Sequence, residues 1–181
     1  MPSIFWGVDT MRKLAHFDIP FTGLPIGSHH YQFEIDKSFF DNFEFSEISE
    51  AEFHVKIDLD KQSNMLILHF DIKGEVEVLC DTCGDMFFLP LSYQDRIIVK
   101  FGDEEIDQSD EIWVIPHHEH KINVADLIYE FTHLALPIRR VHPEGECNEE
   151  AISNLTKLES HPIEENDPRW DKLKKIKKDL K

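Results

Sequence analysis

A chain of 181 residues, 41% of them apolar, can bury one ordinary core without covalent staples, so any metal in it would be a local clamp. It has no unbroken apolar stretch of membrane-spanning length and no charged-then-apolar leader, which argues for the cytoplasm and against a disulfide framework for its three cysteines. The net charge of −17 is unevenly spread: residues 167–181 carry seven basic and three acidic side chains, so an acidic body precedes a short basic ending.

Phosphate is bound by Lys and Arg displacing counterions, so the acidic body disfavours nucleic acid and suits either a basic protein partner or plain solubility. Residues 1–10 read as an extension outside the fold. Residues 11–150 read as one α+β domain, and residues 151–181 as a helical, basic tail. "MRKLAHFDIPF" from Met11 predicts a strand, and a turn around "GLPIGSHH" leads to "YQFEID", where Tyr31, Phe33 and Ile35 alternate with polar residues. "FFDNFEFSEISEAEF" fits a short helix or an irregular loop. The stretch from Phe53 to Cys80 alternates for most of its length around the polar turn "DKQSN", predicting a long antiparallel hairpin with a bulge or bend at Gly74.

Two further strands, "MFFLPLSYQDRIIVKF" and "EIWVIPH", flank an acidic connection in which six of the nine residues from Asp103 to Glu111 are acidic, a solvated loop or a site for a basic protein. The period then changes. Val124, Leu127, Ile128, Phe131 and Leu134 fall at helical spacing, with Asn123 as cap, Asp126 near the helix start and Pro137 as stop. Asp126, Tyr129, Glu130 and His133 occupy the other side, either as a wet face or as a small acid/base group. "PIRRVHPEGEC" reads as extended, "NEEAISNLTKLES" as a weak helix, and Asp167-Pro168 as the start of a terminal helix marked on one side by Trp170, Leu173, Ile176, Lys177 and Leu180. The expected fold is α+β: a mainly antiparallel sheet that could curl into a barrel, with one central amphipathic helix and C-terminal helices.

Seven scattered glycines build no phosphate-cradling loop, and neither GxSxG nor HExxH occurs, although enzymes with dispersed catalytic residues escape such a search. His117, His118 and His120 are dense enough to take a metal or to lie on a polar loop. The sharper signal is "CDTCG". A redox CxxC needs a helix N-terminus to stabilise its thiolate, and here both flanks read as strands. A metal knuckle needs two converging sulfurs and a glycine that relieves crowding, as Gly84 can. With His142 and Cys147 the spacing becomes Cys80-x2-Cys83 … His142-x4-Cys147, which suits zinc within each pair but requires the fold to join the pairs; three small buried thiols are the alternative.

"CDTC", "LIYEFTHLALPIRRVHPEGEC" and "DPRWDKLKKIK" together resemble the YceD family, bacterial proteins named for large ribosomal RNA subunit accumulation, with relatives in plant plastids. The resemblance covers nearly everything from Met11 onward. It implies a role in accumulation or processing of large-subunit (23S) ribosomal RNA, and hence in ribosome assembly, without an established enzymatic activity. It carries the cysteine cluster onto Cys80, Cys83 and Cys147, with His142 in the matching stretch. Where the family often has arginine just before the second cysteine this chain has Thr82, which removes any RNA contact assigned there. With that role, Arg139, Arg140, Arg169, Lys172, Lys174, Lys175, Lys177 and Lys178 become the candidate contacts to ribosomal RNA, and the acidic body a surface for a large-subunit ribosomal protein. A metal-dependent hydrolase or nuclease, with Glu130 or His133 as base, is the alternative.

Overall fold

The computed structural model describes residues 14–44, 46–102 and 112–159. The extension 1–10, the acidic connection 103–111 and the basic residues Arg169, Lys172, Lys174, Lys175, Lys177 and Lys178 lie outside the described residues.

A 3-10 turn, Leu14–Phe17, precedes β1 (Asp18–Pro20), β2 (Gly27–Asp36) and a one-turn helix α1 (Lys37–Phe40). Then come β3 (Ala51–Lys61), β4 (Met65–Leu79), β5 (Met86–Phe101), β6 (Ile112–Ile115), β7 (Lys121–Asn123), α2 (Ala125–Leu134) and α3 (Glu149–Glu159). Of the expected first strand, Asp18–Pro20 is strand and Leu14–Phe17 is a 3-10 turn, and the strand expected from Tyr31 starts at Gly27.

Five strands form one sheet in the order β2-β3-β4-β5-β6, and β1 pairs separately with β7. The hairpin expected around "DKQSN" is β3–β4, paired from Lys61 beside Leu66 to Ala51 beside Val76. Alternation produces it: Phe53, Val55, Ile57 and Leu59 are buried on one side, while Glu52, Lys56 and Asp58 face outward. Gly74 is no bulge. The register runs straight through it, because a Cβ there would stand 2.1 Å from the Glu52 carbonyl oxygen and 2.6 Å from Phe53 Cα, so glycine is needed for close backbone approach.

Two parts of the expected architecture are corrected. β6 joins β5 in parallel, Ile98 beside Ile112 through Phe101 beside Ile115, so the sheet is mixed. The sheet also stays open, with β2 and β6 at opposite ends of its order, so there is no barrel.

Its apolar face is covered by α2 and by aromatic residues around α1. The N-cap of α2 is Val124 rather than Asn123, whose side chain, one position earlier, accepts from the Ala125 N–H at 3.0 Å; Val124, Ala125, Ile128 and Phe131 are buried. Phe131 meets Phe70 edge-on, with ring centres 5.0 Å apart, and Tyr93 at 5.5 Å. Leu134, expected in this stripe, is exposed. On the other side Tyr129 stacks on Phe43 at 3.9 Å and His133 lies 4.2 Å from Tyr129, so half of the supposed wet face is covered. The rings that cover it come from "FFDNFEFSEISEAEF"; just before that stretch Asp36 caps α1 through the Ser38 N–H at 2.9 Å. The β1–β7 pair is tied by Lys121 to Asp18 and by Asn123 to both Asp18 and the Leu14 carbonyl.

Candidate metal centre

β4 and β5 outrun their neighbours. β3 stops pairing at Val76 and β6 pairs only from Ile98, so Glu77–Leu79 with Met86–Phe88 is a two-stranded ribbon. Its tip is the cysteine knuckle. The Cys80 N–H donates to the Asp85 carbonyl at 2.9 Å, and the Gly84 N–H donates back to the Cys80 carbonyl at 2.9 Å. Gly84 sits at φ +80°, a conformation that glycine adopts without strain. No helix starts at either cysteine, so the thiolate-stabilising frame of a redox pair is missing.

The second half of the site is the extended segment before α3. Two hydrogen bonds clip it to the knuckle: the Asp81 N–H donates to the Arg140 carbonyl, and the Arg140 N–H donates to the Asp81 side chain at Oδ2, both at 2.7 Å. His142 lies against Phe87, ring centres 4.4 Å apart. Asn148 donates to Asp85 Oδ2 at 3.0 Å, while its own Oδ1 accepts from the Glu150 N–H and starts α3. Asp81, Asp85 and Phe87 were missed in the sequence because their partners are backbone atoms or residues far along the chain. Asn148 ahead of "EEA" is an N-cap signal that could have been read.

These clips gather one ligand atom from each of Cys80, Cys83, His142 and Cys147 within 4.8 Å of one another. The Cys80 and Cys147 sulfurs are 3.9 Å apart, and His142 Nδ1 lies 3.4 Å from Cys83 Sγ and 3.8 Å from Cys147 Sγ. A disulfide would require about 2.05 Å. A tetrahedral ion with sulfur at about 2.3 Å and nitrogen at about 2.05 Å has edges of about 3.8 Å between sulfurs and about 3.6 Å from sulfur to nitrogen. The cluster is therefore geometrically compatible with a bound metal, and it is the only group of three or more such donors among the described residues.

The surroundings split the thiols. Desolvation pushes Cys80 up, but hydrogen bonds from the backbone of Cys83, His142 and Thr82 and from the His142 side chain outweigh it and bring the thiol down to about 5. Cys147 is pushed up to about 11, first by desolvation and then by its hydrogen bonds to, and the charge of, Cys80 and Cys83. A thiolate at Cys80 beside a Cys147 thiol that resists ionising is a local negative charge that a bound cation would offset.

Other candidates stay apart. His117, His118 and His120 are exposed around the turn after Pro116, and His120 contributes its carbonyl to Phe21 and Thr22. Glu130 and His133 lie on α2 and do not join the cluster; His133 Nδ1 bonds the Tyr129 carbonyl at 2.8 Å. Arg139 is exposed, and Arg140 is half-buried with its backbone in the Asp81 clip. No described helix is long and apolar enough to cross a membrane.

An open five-stranded sheet with a three-cysteine, one-histidine cluster at the end of its longest hairpin defines an α+β domain with a metal-competent knuckle. Residues 68–177 match the family model of large ribosomal RNA subunit accumulation protein YceD, and the chain belongs to that family. No curated protein and no solved structure matches the chain.

Proposed function

We propose that the chain is a non-catalytic factor in the accumulation or processing of large-subunit ribosomal RNA, and that Cys80, Cys83, His142 and Cys147 hold one structural zinc ion within it. The observation that supports this is the closed set of four donors in a member of a family named for that role. Three thiols and an imidazole at tetrahedral spacing suit zinc better than the harder, oxygen-seeking cations. When bound, the ion would supply a cross-link from the hairpin tip to residues 142–147, with all four positions taken by protein and none left for an activated water.

The protein's own residues then divide the binding work. Arg139 and Arg140, with Arg169, Lys172, Lys174, Lys175, Lys177 and Lys178, meet phosphate of the ribosomal RNA. The outward face of the sheet, with Glu34, Glu52, Asp58 and Glu75, suits a basic large-subunit ribosomal protein. Mass spectrometry of tag-free protein should find one zinc per chain, lost in Cys80→Ser together with thermal stability. Metal-free protein of unchanged stability would refute the zinc reading. RNA affinity measured at two salt concentrations, with and without residues 167–181, tests the other half: truncation should flatten the salt dependence.

A further inference from the structure

Beside the metal centre lies an open groove of about 560 Å³, lined by Arg139, His142, Pro143, Cys147, Glu149 and Ile152 among others. It continues onto α3, where Ile152, Leu155 and Leu158 form an exposed stripe at a spacing of three, with Leu158 70% exposed. Ile138, fully exposed, stands one residue before Arg139. Among the described residues nothing covers this stripe. We propose that its occupant is the chain's own segment 160–181, folded back as the second helix of an antiparallel pair, with its apolar side on α3 and its end in the groove.

Three features favour that occupant. The first is reach. Pro162 disfavours helix at His161, and residues 160–166 can span up to about 23 Å, ample for a reversal. Residues 167–181 as a helix would measure about 22 Å, while the eleven residues of α3 rise about 16 Å, so the returning segment covers α3 and extends into the groove. The second is pattern. At helical spacing Trp170, Leu173, Ile176 and Leu180 fall on one side, with Lys177 at its margin, and match the stripe on α3, whereas Lys174, Lys175 and Lys178 fall outside it. The third is charge. An antiparallel return brings the lysine-rich end towards Glu149 and Glu150 in the first turn of α3 and towards Glu144 on the groove wall. The docked helix would present its outer lysines beside Arg139; only this last point rests on the RNA-binding reading.

The test places a photoreactive p-benzoylphenylalanine at position 170 of the full chain, irradiated without RNA in an equal mixture of light- and heavy-isotope protein. Adducts should map to residues 149–158 within single chains. Leu155→Glu, at an exposed position, should lower their yield about tenfold or more, the loss expected when a leucine contact is replaced by a buried charge. Adducts joining light to heavy chains would assign the stripe to a second copy and overturn self-docking, as would adducts that avoid α3. The two readings fail separately. Docking with RNA affinity indifferent to residues 167–181 removes the RNA role alone, and no docking with RNA affinity that depends on them removes the docking alone.

Discussion

Asp81→Ala should weaken metal binding about tenfold while leaving the sheet folded. Asp81 Oδ2 accepts from the Arg140 N–H at 2.7 Å, and this bond, with its reciprocal backbone partner, holds the segment carrying His142 and Cys147 against the knuckle carrying Cys80 and Cys83. A hydrogen bond to a charged group contributes about 1.5–3 kcal/mol. Asp81 is exposed, so water replaces part of that and the lower end applies. Since about 1.4 kcal/mol is tenfold in affinity, the expected loss is about tenfold. Groups that orient metal ligands from outside typically cost 10- to 100-fold when removed, a range whose lower limit is the same figure. The assay is chelator competition for zinc, repeated with cobalt so that the thiolate-to-metal absorption reports whether three sulfurs remain bound. Asp81→Asn keeps an oxygen acceptor in place and should retain most of the affinity. Wild-type affinity in Asp81→Ala, or equal damage from Ala and Asn, would refute the clip.

Gly74→Ala should destabilise by at least about 1–3 kcal/mol in thermal or urea unfolding, because its Cβ meets backbone rather than a flexible side chain, whereas Gly23→Ala has open space and should be silent. Phe40→Ala, at a fully buried ring in contact with Phe39, Phe53 and Tyr129, should cost about 3–5 kcal/mol by the same measurement. Asp36 is held below its ordinary 3.8, chiefly by the Ser38 hydroxyl. Its stabilisation is therefore complete above that value and lost as the pH falls through the lower folded one, so the stability of Asp36→Ala should sit about 1 kcal/mol below wild type at neutral pH and converge with it in acid. Chelation of a zinc-loaded sample should speed amide hydrogen exchange in residues 77–88 and 139–150 while residues 53–72 stay protected, and uniform loss of protection would show that the metal holds the whole fold.

The strands were legible wherever one face is buried and the other wet, as in β3 and β4, because burial enforces a period of two. Gly74 was not, since close backbone approach and a bulge both call for glycine and differ only in the neighbouring strand. The same limit applies to Tyr129 and His133. Their side of α2 reads as polar along the helix, and only Phe39, Phe40 and Phe43, some ninety residues earlier in the chain, turn it into an interface. The parallel β5–β6 pair leaves no trace in alternation. At the site, the four ligands were visible through spacing and residue type, whereas the Asp81 clip binds a backbone N–H 59 positions away and so has no side-chain signature.

The family match begins at Leu68, in the middle of β4, and runs to residue 177. It therefore includes β5, the knuckle, α2, α3 and most of the basic segment, and leaves out β1, β2 and β3. That division has a physical counterpart. A two-stranded ribbon is marginal alone, and Leu79, Met86 and Phe88 on this one are exposed, so little hydrophobic burial holds the end of the hairpin in place. Beyond Val76, besides Val78 buried in the core and Phe87 packed against it, the contacts that hold it include the backbone hydrogen bond of Glu77 to Glu50, the Asp81 and Asp85 hydrogen bonds, the His142–Phe87 contact and the four clustered donors. The sheet core needs none of these. A cation in the cluster would thus act on the ribbon, on residues 139–147 and on the start of α3, the elements that set the position of Arg139 and of the groove. These elements all fall within residues 68–177, so the family match takes in the four clustered donors together with every element that a cation there would hold.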